Sequence, residues 1–320
     1  MTDTFYIVTK NGKSDKAPGG NCVIALGTFD GVHKAHQSIL REAISLKDRI
    51  GAELVGAWCF SSLPSNLLGG KRTPMLCSLE EKIKRILNAG IDFVAVGDFE
   101  KLSLLGADDF IGKILKDGLN CVGVVCGFNH RFGFRGLGSH ALLEKSFGVD
   151  SVSVLPEVSM FGETVSSTAI RKHIIGGDLD TALEMLGQDV MIDTRVIGGK
   201  HLGRTIGFPT ANQLFTEGII TPKRGIYATL CTTEDGRRFI GVSNVGIRPT
   251  IIDGSDDHVV NCETYICNFN ENLYGKKLRV SFIHFLRNEQ KFESVDALRD
   301  QIAKDAEEAI AYFEKMNILL

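Results

Sequence analysis

Tryptophan occurs once in these 320 residues, and no two of the eight cysteines stand as C-x-x-C. That spacing argues against a disulfide or zinc framework. Cys22, Cys59, Cys77, Cys121, Cys126, Cys231, Cys262 and Cys267 lie mostly in apolar, strand-like runs. Buried free thiols in a reducing compartment are expected. No apolar run approaches the ~20 residues needed to span a bilayer. Met1 to Gly20 has no apolar core behind a basic segment, so no signal peptide is predicted there. Net charge is −3, without the basic footprint that nucleic acid requires. These absences predict a cytoplasmic protein with no membrane or nucleic-acid partner. The composition, 43% hydrophobic and 23% charged, is that of a globular chain, and its length suits about two domains.

Glycine is abundant, at 35 residues, and one glycine-bearing stretch organises the first half: Gly27-Thr28-Phe29-Asp30-Gly31-Val32-His33-Lys34-Ala35-His36. The apolar run Cys22–Leu26 predicts a buried strand before it, and the periodicity of Ile39–Ile50 a helix after it. A strand thus delivers two glycines and two histidines to a helix N-terminus, where backbone N–H groups and the helix dipole favour an anion. Glycine allows the tight turn and close approach to a phosphate. His33 and His36 can share one side of the first turn and donate to phosphate oxygens.

Strand and helix then alternate. Leu54–Phe60, Phe93–Val96, Cys121–Cys126 and Ser151–Leu155 read as strands. Ser78-Leu79-Glu80-Glu81 is a capping box that opens a helix to Asn88. Asp108–Lys116 reads as a helix with Phe110, Ile111, Ile114 and Leu115 as its apolar stripe. The pattern predicts a parallel sheet covered on both faces, with ligands beyond the carboxyl ends of its strands. Two segments fall at such ends: the His33/His36 turn and Gly127-Phe128-Asn129-His130-Arg131-Phe132-Gly133. Ser166-Ser167-Thr168-Ala169-Ile170-Arg171 opens a further helix, with hydroxyls and an arginine placed as a phosphate clamp. Asp178–Leu186 is the last helix of this half.

From Gln188 the helical period disappears. Asp235-Gly236, between Tyr227–Thr232 and Arg238–Val242, signals a hairpin, and Asn261–Cys267 and Lys277–Phe285 supply further strands. A small closed antiparallel barrel is expected, covered by a helix over Ser294–Phe313 with Leu298, Ile302, Ala306, Ala309, Ile310 and Phe313 on one face. Gly198, Gly199, Gly203 and Gly207 precede Phe208-Pro209-Thr210-Ala211-Asn212. Glycines there leave N–H groups for phosphate nests. Thr210 and Asn212 alternate about Ala211, so their oxygens face one way; a hydroxyl and an amide suit Mg²⁺ carried by ATP.

These motifs resemble a known family. Residues 27–36 resemble the HxGH signature of nucleotidyltransferases, in the G-x-F-D-G-x-H-x-x-H form of bacterial FAD synthetases, with Ala35 in place of the signature's glycine. Gly127–Gly133 is similar to the family's G-x-D/N-F-x-F-G, with His130 in place of phenylalanine, and 166–171 to its I-S-S-T-x-I-R loop, with Ala169 where a second arginine is common. Where the family has an F-D-P-H-P-like segment, this chain reads Phe60-Ser61-Ser62-Leu63-Pro64. Residues 203–212 resemble the P-T-A-N motif of riboflavin kinases. Gly225–Ala228, Asn244–Thr250, Cys262–Tyr265, Leu273–Lys276, Phe285–Arg287 and Lys291-Phe292 match in the family's order.

The chain is thereby similar to prokaryotic bifunctional riboflavin kinase/FAD synthetases. The resemblance implies a Rossmann-like adenylyltransferase domain over 1–187 and a barrel kinase domain over 188–320. It implies that riboflavin is phosphorylated to FMN and FMN adenylylated to FAD, with ATP as co-substrate and Mg²⁺ at both sites. It assigns Glu263 as general base and His33 and His36 as catalytic. Gly27, Phe29, Asp30, Asn129, Ser166, Ser167, Thr168, Arg171, Gly203, Gly207, Thr210 and Asn212 are assigned to ATP or phosphate, with Thr210 and Asn212 also on the metal. Two alternatives stay open: a riboflavin kinase whose first half is weakened by Ala35, Leu63 and Ala169, and a flavin-binding protein without catalysis.

Overall fold

The computed structural model describes residues 4–14, 19–67, 72–198, 207–249 and 258–317. By backbone contacts the chain divides into two units, Met1–Ala169 and Ile170–Leu320.

The first unit holds a seven-stranded sheet: β1 (Phe5–Thr9), β2 (Gly12–Ser14), β3 (Cys22–Leu26), β4 (Leu54–Phe60), β5 (Phe93–Gly97), β6 (Cys121–Gly127) and β7 (Val152–Leu155), in the order β2-β1-β5-β4-β3-β6-β7. The five strands from β5 to β7 in that order are parallel, as expected. An antiparallel edge, β2 and β1 beside β5, joins them. The expected parallel sheet is present, and this edge extends it. Phe5-Tyr6-Ile7-Val8-Thr9 is β-branched and aromatic, and a turn at Lys10-Asn11 folds it into a hairpin with β2.

Alternation along β3 sorts the core. Val23 and Ala25 pack with Leu40, Ala43 and Leu46 of the helix Lys34–Ile50 and with Ile86 of the helix Leu79–Asn88. Ile24 and Leu26 face Trp58, Phe110, Ile114 and Leu143 on the other side. Ser78 caps its helix as the sequence suggested, accepting from the Glu81 N–H at 3.2 Å. The segment Phe110–Lys116 is a π-helix between single α-turns rather than the expected α-helix, yet Phe110, Ile111, Ile114 and Leu115 are all buried. After Ser159–Met160 (β8) and Glu163–Thr164 (β9), a short antiparallel pair, the helix Ser167–Gly176 begins within this unit and continues into the second.

The second unit carries a six-stranded antiparallel sheet: β10 (Val190–Arg195), β11 (Thr210–Leu214), β12 (Gly225–Thr233), β13 (Arg238–Pro249), β14 (His258–Ile266) and β15 (Lys277–Arg287), in the order β10-β15-β12-β13-β14-β11. The β12–β13 hairpin turns at Asp235-Gly236, with Gly236 at φ +86. Register shifts between β12 and β15 bend the sheet. Among the described residues it curls without a continuous ladder all the way round, so the expected closed barrel is a half-barrel. Among the described residues its edges meet through one bridge, Ile197 to Asn212, through Thr194 Oγ1, which donates to the Leu214 carbonyl at 3.4 Å, and through Gln213 Nε2, which donates to the Thr194 carbonyl at 2.9 Å and to the Leu278 carbonyl at 2.7 Å.

The terminal helix Val295–Lys315, capped by Ser294, lays Ala309 and Phe313 on Ile226, Ala228, Leu230 and Val242. Its buried Asp305 takes a two-pronged bond from Arg287, Nε to Oδ1 at 2.8 Å and Nη2 to Oδ2 at 2.7 Å, plus Gln301 Nε2 at 3.0 Å. The helix Leu179–Leu186 packs on β15, with Asp180 3.0 Å from His284 Nδ1, and the His284 ring stacks on Tyr312 at 4.3 Å. All eight cysteines are buried and free. Burial pushes the Cys126 and Cys262 thiols up to about 11, the behaviour of inert thiols.

Candidate functional sites

In the first unit the strand order reverses between β3 and β6. A crevice is expected beyond the carboxyl ends at such a switch point. A cavity of about 790 Å³ opens there, lined by residues that follow β3 (Gly27, Thr28, His33, His36) and β6 (Phe128 to Gly136). Trp58, Phe60, Phe99, Phe110 and Phe132 also contribute. The wall suits a large planar ring, with polar groups from the His33/His36 turn, from the segment Asn129–Arg135 and from Ser166 and Ser167.

The turn from β3 to the helix Lys34–Ile50 is tightly wound. Phe29 has φ 50, Gly31 φ 77 and Val32 φ 52. Three left-handed residues persist only where neighbours over-determine them. Here Asp30 Oδ1 accepts from Leu76 N–H at 2.9 Å, the Asp30 carbonyl from Ser167 Oγ at 3.1 Å, and the Gly31 carbonyl from Arg85 Nη1 at 3.1 Å. His33 caps the helix: its Nδ1 accepts from the His36 N–H at 3.4 Å, which leaves the ring proton to Nε2. The rings of His33 and His36 stack 3.6 Å apart. The expected juxtaposition is present, although His33 sits just ahead of the first turn. Burial, with His33 and Lys82 close by, holds His36 well below the usual histidine range, so it is neutral at pH 7.

Not every expected residue meets the cavity. Phe29 and Asp30 are buried behind it and are absent from its lining. The Asp30 carboxylate is engaged with Leu76 N–H. Gly27, Asn129, Ser166 and Ser167 do line the cavity, whereas Thr168 is outside the lining. Ser166 Oγ accepts from Ala169 N–H at 3.2 Å, the cap expected from sequence. Arg171 follows on the same helix, in the second unit. The sequence reading missed Trp58, Lys82 and Arg85. Lys82 and Arg85 share the helix stripe with Ile86, the one sign that these cations are buried.

In the second unit, three strands align polar groups. Asn212 on β11 pairs in register with Glu263 on β14, which pairs on its other side with Asn244 on β13. Glu263 Oε1 accepts from Asn261 Nδ2 at 3.0 Å. Two cavities meet here. One, about 390 Å³, is lined by Pro209 to Asn212, Thr264 and the loop Phe269–Tyr274. The other, about 300 Å³, is lined by Glu263, Asn244, Arg287, Phe292 and Leu298. Thr210 borders both. Asn244 Oδ1 is buried without a partner. Gly207 has φ +86, and the expectation for Gly203 lies outside the described residues. The described residues contain no cluster of three His, Cys, Asp or Glu side chains fit for a metal. The donor set of Thr210 and Asn212, one hydroxyl and one amide, fits a hard cation whose charge is balanced by phosphates.

The family model for riboflavin kinase matches residues 186–313, and that for FAD synthetase residues 15–169. A bifunctional riboflavin kinase/FMN adenylyltransferase of Haemophilus influenzae is 37% identical over 298 residues, 91% of this chain and 94% of that protein. One from Listeria monocytogenes is 33% identical, covering 93% and 94%. A solved chain described as a macrolide-efflux protein from Streptococcus pneumoniae superposes with a TM-score of 0.83 at 27% identity, covering 92% of this chain and 95% of that one. Among the described residues no helix is long and apolar enough to cross a membrane. Both family models match in order, and the relatives align along nine-tenths of its length: this chain belongs to the bifunctional riboflavin kinase/FMN adenylyltransferase family.

Proposed function

We propose that this chain makes FMN from riboflavin and ATP in one half and FAD from FMN and a second ATP in the other, releasing pyrophosphate. The observation that carries the reading is the cross-strand row Asn212–Glu263–Asn244 at the junction of two cavities. The functional halves are taken as 1–187 and 188–320, a cytoplasmic enzyme with no nucleic-acid or membrane partner.

In the kinase half, the Phe208–Asn212 side takes ATP and the Arg287/Phe292 side takes the flavin, with Thr210 between them. Glu263 takes the proton from the ribityl 5′-hydroxyl as that oxygen attacks the γ-phosphorus. Thr210 and Asn212 would hold Mg²⁺, which when bound neutralises phosphate charge. In the other half the FMN phosphate attacks the α-phosphorus directly, with no covalent enzyme intermediate. His33 and His36 donate from Nε2 to phosphate oxygens, and Gly27, Ser166 and Ser167 bound the phosphate end. Asn129 and the aromatic wall hold the ring system. The test is incubation with riboflavin, ATP and Mg²⁺, followed by chromatographic separation of riboflavin, FMN and FAD. Both products are expected; riboflavin left unchanged would overturn the reading.

A further inference from the structure

Beneath the His33/His36 turn lies an ammonium group that the reaction itself does not use. Lys82 is 2% exposed. Its Nζ donates to the Phe60 carbonyl at 2.8 Å and to the Thr28 carbonyl at 3.3 Å. Those carbonyls mark where two neighbouring strands part: the β3–β4 ladder ends at Leu26 and Trp58, and the last contact is Gly27 N–H to the Trp58 carbonyl at 3.4 Å. Beyond that point the ammonium takes over from the ladder. Thr28 and Phe60 both line the cavity. One turn further along the helix, Arg85 holds the Gly31 carbonyl while pairing with Glu81 at 3.0 Å. Among the described residues no carboxylate pairs with Lys82. A buried cation without a counter-ion is costly, and an anion arriving nearby offsets that cost.

We propose that Lys82 is a positioning residue of the adenylylation site. It clasps the diverging ends of β3 and β4, fixes the left-handed turn that presents His33 and His36, and sets a positive charge behind the bound triphosphate and the departing pyrophosphate. The inference rests on the adenylyltransferase reading above. The charged or titratable groups facing His36 are His33 from its own turn and Lys82 from the helix beneath.

The test compares Lys82→Met and Lys82→Arg in the full chain, with FMN, ATP and Mg²⁺ for FAD formation, and riboflavin, ATP and Mg²⁺ for FMN formation. Inorganic pyrophosphate serves as a product inhibitor. Lys82→Met is expected to raise the KM for ATP and weaken pyrophosphate inhibition, each by about tenfold, with FMN formation within about twofold of the parent. The acid limb of the pH profile for FAD formation should move to higher pH, because His36 loses a cationic neighbour. Lys82→Arg should recover part of the ATP affinity and leave that limb in place. FAD kinetics unchanged in Lys82→Met, or loss of both activities alike in both variants, would overturn the inference. A parent protein that makes FMN but no FAD would instead overturn the adenylyltransferase reading.

Discussion

Asn212 and Glu263 stand directly opposite each other on β11 and β14. The amide that is to hold metal-bound phosphate and the carboxylate that is to take the hydroxyl proton are thus set on one pair of hydrogen-bonded strands. Glu263→Gln keeps the shape and removes the base. It should lower FMN formation by about 100-fold or more, while FAD formation from supplied FMN stays within about twofold. Separate assays of the two steps check this.

His36→Ala should do the reverse. Loss of a neutral donor stacked on His33 should reduce FAD formation by about 100-fold and leave FMN formation intact. Chromatography of products from riboflavin would then show FMN accumulating alone.

His130 gives a pH dependence of stability. Burial lowers it from 6.5 to about 4. Below 6.5 the unfolded chain binds a proton that the folded one does not. Stability from this group is therefore complete above pH 6.5 and is lost as pH falls from there to about 4. His130→Phe should flatten the fall of melting temperature across that window.

Asp305→Ala strips the carboxylate from the Arg287 fork and leaves that guanidinium beside the flavin-side cavity without its partner. A loss of about 3 kcal/mol is expected, read as a lower urea midpoint. A raised KM for riboflavin should accompany it, with FAD formation from FMN little changed.

The elements legible in sequence were those with a single local cause. Cys22–Leu26 is apolar on both faces because it is central, Ser78 has a glutamate three residues on, and Asp235-Gly236 admits one kind of turn. What escaped depended on partners far along the chain. Lys82 and Arg85 look like solvated helix charges until Thr28, Gly31 and Phe60 bring carbonyls to them. Asp30 sits in a phosphate-like motif, yet Leu76, 46 residues away, claims its carboxylate. The edge strand β1 was missed because its sheet partner is β5, far along the chain, and β2 with it, since among the described residues β2 pairs only to β1. Glu263 and Asn212 could each be singled out from a motif, but that they stand opposite each other, with Asn244 on the other side of Glu263, came only with the register.

The half-barrel leaves a seam. Among the described residues the join between β10 and β11 is one bridge, the Gln213 amide and the Thr194 hydroxyl, and Gln213 Oε1 is buried there with no partner. Parting these edges breaks few backbone bonds, so the strand bearing Thr210 and Asn212 can breathe while the rest of the sheet stays zipped. Amide protons of β11 should accordingly swap for deuterium before those of β12, and bound nucleotide should slow them.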